Sequence, residues 1–356
     1  MVLAEATPTE PILTLDALTA FLTRDKTPPP VLGPTEFERL DTRSRIKYNE
    51  ARANFMTSGE LVARTSEVQS CSHYIQKARK WNQANVSDRS SLTVSGAGVT
   101  GKSTALKVTM DEVFKDLQSK YPDLEVEDGE WIPIAYIEVP SHANAWRLLR
   151  RIADFLTLTY TEREPTASLL PRVVRAMRGA HTEYVVIDEA HLLTGSNRGH
   201  SETVEVMREL QRSIVATFAF GGVHLPSTAW MTGDTSSQLT DRTFYVELVR
   251  YPYRTSLDQA IWRGVIESIE EQLPLYSHPV GTLEALDEHL HFLTSGSISS
   301  LKRVIGGAAL DLLDREDPSR ETITEQLLDE QPLDMTSEKL LAINKAARAR
   351  ATRKAG

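Results

Sequence analysis

The sequence predicts an α/β fold, a parallel sheet with helices on both faces, followed by a small all-helical unit. Three observations predict it. Apolar runs of strand length alternate with helical patterns between residues 91 and 248, as in strands joined by helical crossovers. After Tyr253 only helical spacing remains. A glycine-rich turn, from Gly96 to Gly101, leads from the first strand straight into a helix.

In chain order, residues 1–35 read as an arm. Its start carries acid and proline rather than a basic-then-apolar signal pattern. Residues 12–22 predict one amphipathic helix, and Thr27-Pro28-Pro29-Pro30 a stiff linker. Residues 36–253 form the expected core unit. It opens with a helix over 36–56 that buries Phe37, Leu40, Ile46 and Phe55. A second helix over 66–81, capped by Ser66, buries Val68, Cys71, Tyr74, Ile75, Ala78 and Trp81. Strands are expected at 91–95, 134–139, 184–187, 216–221 and 244–248. Helices are expected from Lys102 and over 145–156, 169–177 and 202–214. Residues 254–335 form the helical unit, with helices at 257–273, 283–293, 298–313 and 323–328. Residues 336–356 read as a basic tail, either touching phosphates or disordered, with six Lys or Arg against one Glu between Glu338 and Lys354.

Composition narrows the function classes. Of 356 residues 40% are hydrophobic and 25% charged, ordinary for a soluble globular chain. No apolar run reaches the roughly 18 residues of a membrane helix, so no membrane partner and a cytoplasmic location are expected. A single cysteine, Cys71, allows no internal disulfide. It fits a reducing compartment and equally a small apolar filler. His191, His200 and Cys71 lack metal-ligand spacing, so no zinc is expected. The net charge of −9 excludes a fold-wide polyanion binder and leaves only local basic patches.

Gly96-Ala97-Gly98-Val99-Thr100-Gly101-Lys102-Ser103 matches the phosphate-binding P-loop residue for residue, with Thr104 following. The glycines let successive backbone N–H groups face phosphate oxygens, and the helix start adds its positive dipole end. Lys102 reaches the β- and γ-phosphates and the Ser103 hydroxyl ligates magnesium. These residues therefore point to ATP with Mg2+. The same glycines satisfy the dinucleotide fingerprint, but that pattern does not call for Lys102-Ser103. A second acidic strand end follows, Tyr184-Val185-Val186-Ile187 running into Asp188-Glu189. A buried parallel strand ending in acids sets them where ligands bind. Asp188 is the expected magnesium partner, and Glu189 orients or activates the attacking water. The plain alternative is that residues 188–191 only cap a loop.

The order of P-loop, Asp-Glu strand, sensor strand and helical lid resembles the AAA+ ATPases, and more narrowly the TniB/TnsC-type transposition ATPases of bacteria. The resemblance runs from about Tyr48 to Leu333. It is carried by residues 92–106, 132–140, 184–192, 216–225 and 296–313. It implies an oligomeric P-loop NTPase (AAA+) with a helical lid, in which an arginine reaches a neighbouring subunit's γ-phosphate. Arg242 best matches that finger and Arg254 is the runner-up; a solvated arginine before a strand is the alternative. It also implies a lid cation near the γ-phosphate, for which Lys302 and Arg303 are candidates, a helix-surface role standing equally open. Where the family places Asn or Thr on the sensor strand this chain has Gly221-Gly222-Val223-His224. Only His224 is polar there, and it also reads as a loop histidine. The departures at sensor and lid imply slow hydrolysis, suited to a switch. Arg147, Arg150 and Arg151, at i, i+3 and i+4, and the tail from Lys339 are the candidate contacts to double-stranded DNA. The leading expectation is thus a switch ATPase that assembles as a homo-oligomer on DNA and directs a partner transposase. A signalling or anti-phage defence ATPase that binds no DNA, and a helicase-loader-like adaptor, are the alternatives.

Overall fold

The structure, a computed structural model, describes residues 10–86, 89–122, 130–193, 197–232 and 240–355. Five strands form the sheet: β1 (Ser91–Gly96), β2 (Ile134–Glu138), β3 (Tyr184–Asp188), β4 (Thr217–Gly222) and β5 (Thr243–Leu248). Their order is β2-β3-β4-β1-β5 and every pairing is parallel. Every residue of β1, β3 and β4 is buried, as interior strands covered on both faces must be. The dinucleotide fold sets its first two strands side by side. Here β1 lies between β4 and β5, so that rival reading fails and the P-loop reading stands.

The helices are α1 (Leu15–Thr23), α2 (Pro34–Glu38), α3 (Thr42–Thr57), α4 (Ser66–Ala84), α5 (Lys102–Lys120), α6 (Ala145–Phe155), α7 (Thr166–Gly179), α8 (Asn197–Ser213) and α9 (Ala229–Thr232). Beyond the sheet come α10 (Ser256–Glu270), α11 (Asp287–Thr294), α12 (Ile298–Leu313), α13 (Glu325–Asp329) and α14 (Met335–Ala355). Among the described residues, no helix is long and apolar enough to cross a membrane.

The amino-terminal third departs most from expectation. The helix expected over 36–56 is two. Asp41 interrupts it and caps α3, its carboxylate accepting from Ser44 N at 2.9 Å, because a short acidic side chain satisfies a free helix N–H better at a start than inside a turn. Ile46 is consequently 48% exposed. The cap of α4 is Thr65, not Ser66, with its hydroxyl accepting from Val68 N at 3.2 Å. Trp81 is 59% exposed and lies against Phe244, ring centroids 5.6 Å apart. Cys71 is the apolar filler: burial pushes its thiol up to about 12. The segment expected as an arm is docked, with Leu18, Phe21 and Leu22 of α1 buried in the main core and Lys26 paired with Asp111 of α5.

Two apolar cores result. The main one surrounds the sheet. The second joins α10 to α13 with Phe55 and Met56 of α3 and with Leu61 and Ala63. Thus α3, expected with the sheet, packs on the helical unit. A buried ion pair fixes it there. Arg52 Nη1 meets Glu321 Oε1 at 2.8 Å and donates to Pro274 O at 3.1 Å, while its guanidinium lies 4.3 Å from the Tyr48 ring centre. The expected tail is a helix, α14, and its first turns belong to the same unit. Ser337 is buried with its hydroxyl 2.9 Å from that of Ser300, and Leu341 packs on the second core. The side chains of residues 347–356 lie outside the described residues, as do those of His200, Gln238 and Leu239.

Candidate nucleotide site

The phosphate loop leaves β1 at its carboxyl end and enters α5. Two glycines make that path possible. Gly96 has φ 155°, and a Cβ there would lie 2.2 Å from Leu248 O, inside the neighbouring strand. Gly101 caps α5 at φ 92°, in the left-handed region that glycine occupies without strain. Gly98 faces open space and is exposed. The loop therefore presents an unobstructed cradle in front of a 19-residue helix, a geometry that favours an anion. Thr100 holds the loop from inside, its hydroxyl donating to Ala97 O at 3.0 Å.

Lys102, the first residue of α5, is buried and donates from Nζ to Ala97 O at 2.6 Å. Burial lowers its pKa, while Glu189 and Asp188 pull it back up. An ammonium resting on a carbonyl of its own loop is a cation without an anionic contact, and phosphate oxygens fit it. Ser103, half-buried, is the second residue of the same helix.

Asp188 ends β3 and is 2% exposed. Its Oδ1 accepts from Glu189 N and its Oδ2 from Tyr136 Oη, both at 2.8 Å. Burial, with Asp188 beside it, holds the Tyr136 hydroxyl far above its ordinary pKa and so protonated. Tyr136 belongs to β2 and pairs across the sheet with Val186. Its role here was invisible in sequence, because nothing local links positions 136 and 188. Gly221 on β4 makes room for the acid, since a Cβ there would sit 2.6 Å from Asp188 Oδ1. Glu189 turns off the strand end at φ 55°. Its Oε2 lies 3.2 Å from His191 Nδ1.

The second wall of the cleft comes from the lid. Lys302 on α12 is half-buried and lines a cavity of about 180 Å3 with Thr100, Gly101 and Thr104 of the loop. Burial lowers its pKa. Arg303 is exposed, so Lys302 is the one brought to the loop. Ser299 donates to Val99 O at 2.9 Å, tying lid to loop. Val62, Ala63, Val68, Leu248 and Ile298 complete the slot with apolar surface. Sequence reasoning missed this apolar floor, which is assembled from distant segments. Larger cavities among the described residues, of about 550, 490 and 360 Å3, are lined by none of the P-loop residues. The donor set, not the volume, identifies the site.

Arg242 is not brought to this cleft. It precedes β5, its carbonyl accepts from Ser91 N at 3.1 Å, and it is exposed. Ser91 and Gly96 pair with Thr243 and Leu248, so the arginine and the P-loop sit about a strand length apart, roughly 20 Å. Arg254 is also exposed, just before α10. His224 is exposed at φ 46°. On α6, Arg147 is exposed, whereas Arg150 stacks 4.4 Å from the Trp146 ring centre and 4.9 Å from that of Tyr160. The expected face of three arginines is therefore one exposed side chain beside two half-buried ones.

Comparisons agree with this geometry. The family model described as bacterial TniB protein matches residues 62–252. No curated protein matches the chain. Among solved structures, the chain is similar to the ORC2 protein of Aeropyrum pernix in its ADPNP-ADP complexes. The TM-score is 0.53 at 13% identity, covering 79% of this chain and 72% of that one. It is similar also to the Aeropyrum pernix ORC1 protein in complex with DNA. There the TM-score is 0.54 at 13% identity, covering 77% of this chain and 66% of that one. At such identity the likeness is one of fold, and the fold is that of an AAA+ ATPase.

Proposed function

The chain belongs to the bacterial TniB family, and from that premise we propose that it is an ATP-dependent switch that oligomerises on double-stranded DNA and regulates a partner transposase. One observation carries the nucleotide part: Thr100, Gly101 and Thr104 of the phosphate loop share a cavity with the lid residue Lys302, while Glu189 and Asp188 act electrostatically on Lys102 of the same loop. Lys102 would move from Ala97 O to the β- and γ-phosphates. Ser103 and Asp188 would hold magnesium, and Tyr136 fixes Asp188 for that task. Magnesium, when bound, supplies the charge that neutralises phosphate oxygens. Glu189 would orient the attacking water. Residues 96–104 and Lys302 would line the nucleotide, its base against Val62, Val68 and Ile298.

The finger reading of Arg242 is supported by its place at the sheet's far edge, which only a neighbouring subunit's nucleotide can reach. Slow turnover is supported by the sensor strand ending in Gly221-Gly222, with no polar side chain to offer the γ-phosphate. DNA binding is supported by Arg147 and Arg151 on α6 and by the Lys and Arg residues along α14.

Two measurements test this. Arg242→Ala and Lys102→Ala subunits, each inactive alone, should recover part of the ATPase rate when mixed, and failure to complement would remove the shared site. Duplex binding should rise with an ATP analogue and fall steeply with salt through counterion release. A chain ending at Ala347, which keeps the packed turns of α14, should lose ATP-independent binding. Alanines at Arg147 and Arg151 should lose the ATP-stimulated part. Absence of any ATP-stimulated duplex binding would shift the reading to a signalling ATPase.

A further inference from the structure

A carboxylate that handles the attacking water must be held in register with the phosphates. In this chain the adjoining strand end offers only glycine, at 221 and 222. The gap is filled from another direction. His191, three residues past Asp188 in the short helix over Ala190–Leu192, turns its ring onto the end of β4. Its Nδ1 accepts from Val223 N at 3.3 Å and lies within 3.2 Å of Glu189 Oε2. Gly222 leaves room for it and for Leu225: a Cβ there would stand 2.7 Å from Leu225 Cδ2, 3.0 Å from His191 N and 3.2 Å from His191 Nδ1. The carboxylate, the ring and the strand end thus form one short chain of contacts.

We propose that His191 is the positioning residue for Glu189, taking the part that a polar side chain on β4 would otherwise play, with Gly222 kept free of a side chain to admit it. The inference rests on the reading of Glu189 as the group that handles the water. One ring nitrogen faces both neighbours, so it serves one at a time. With a proton on Nδ1 the ring donates to Glu189 and holds the carboxylate against β4. With the proton on Nε2, Nδ1 accepts from the Val223 N–H and the carboxylate is released. The imidazole therefore has two settings, and the strand end and the catalytic acid compete for it. His224, the polar residue that sequence offers for this role, lies beyond the strand and is exposed.

The test compares steady-state ATPase rates and ATP affinity of the full chain with His191→Ala, His191→Asn, Gly222→Ala and Glu189→Gln. A catalytic group misplaced by about 1 Å can cost roughly a hundredfold in rate. His191→Ala should lower kcat ten- to hundredfold (about 10–100) while KM and calorimetric ATP affinity stay within about twofold. His191→Asn, whose amide can donate to the carboxylate, should recover part of that loss. Gly222→Ala, whose Cβ crowds Leu225 and then His191, should lower kcat in the same direction as His191→Ala. A wild-type kcat in His191→Ala alongside a slow Glu189→Gln overturns the proposal alone. A wild-type rate in Glu189→Gln removes the underlying reading, and His191 with it. A second readout needs no turnover: the ring 15N shifts should show a protonated Nδ1 that is lost in Glu189→Ala. A ring unchanged by that substitution also overturns the proposal.

Discussion

On one side of the nucleotide cleft the chain offers backbone, and on the other it offers side chains. The P-loop wall is eight consecutive residues whose shape is set by glycine torsions, Gly96 and Gly101 above all. The lid wall is built from Lys302, Ser299 and Ile298 on α12, with Val62, Ala63 and Val68 from far upstream. On the proposed reading both walls would meet the same ligand, yet they fail in different ways. A backbone wall is robust to distant change because its hydrogen bonds are local. A side-chain wall is only as firm as the packing that brings its parts together, here the second apolar core and the Arg52–Glu321 pair.

The largest effect should come from that pair. Arg52→Ala leaves Glu321 buried without its partner, a loss of about 3–5 kcal/mol. It should split thermal unfolding into two transitions, the helical unit melting first and the sheet unit keeping its midpoint. A single transition, shifted as one, would mean that the two walls share one cooperative unit. Next in size is the contrast between the two lysines. Removing a buried charge that meets an anion costs about 2–5 kcal/mol, so Lys102→Ala should weaken ATP by roughly a hundredfold or more with the fold intact. Lys302→Ala should weaken it by about tenfold, since the lid wall holds the nucleotide in company with its apolar floor. Equal losses by calorimetry would erase the distinction between the walls.

The smallest effect is one of pH. His278 and His291 both lie in the helical unit, and burial lowers the pKa of each. His278 faces Glu270 at 2.9 Å and His291 meets Tyr251 O at 2.9 Å. A folded pKa below the unfolded value of 6.5 means the unfolded chain takes up the proton first. This stability is therefore complete above pH 6.5 and fades as the pH falls through the lowered folded values. Melting of the Arg52→Ala chain at pH 7.5 and 5.5 should show the first transition falling and the second holding. The opposite order would assign the titration to the sheet unit.

The same contrast explains what was legible in sequence. Local grammar was read well. The P-loop is contiguous, the strand ends follow from apolar runs, and α12 begins and ends at the residues its spacing predicts. Tertiary choices were not. Ile46 and Trp81 sit at helical spacing with buried neighbours, yet both are largely exposed, Trp81 being covered on the side that meets the Phe244 ring. The partnership of Tyr136 with Asp188 depends on the register of β2 against β3, which no single-strand pattern encodes. The basic end looked like a tail because charge dominates its composition. Its helix is anchored by two small groups, Ser337 and Leu341, that composition does not weigh.

Gly221 and Gly222 have one more consequence, for the routes open to this sequence as it changes. On the proposed reading of slow turnover, a polar side chain at the end of β4 is the obvious upgrade. Here both positions are already spoken for. A side chain at 221 enters the space of Asp188 Oδ1, and one at 222 enters that of His191. Any first step toward the upgrade therefore damages the existing site before the new group can help. The change requires two substitutions at once, and a lineage moving one residue at a time would be held at the proposed slow setting by the absence of two side chains.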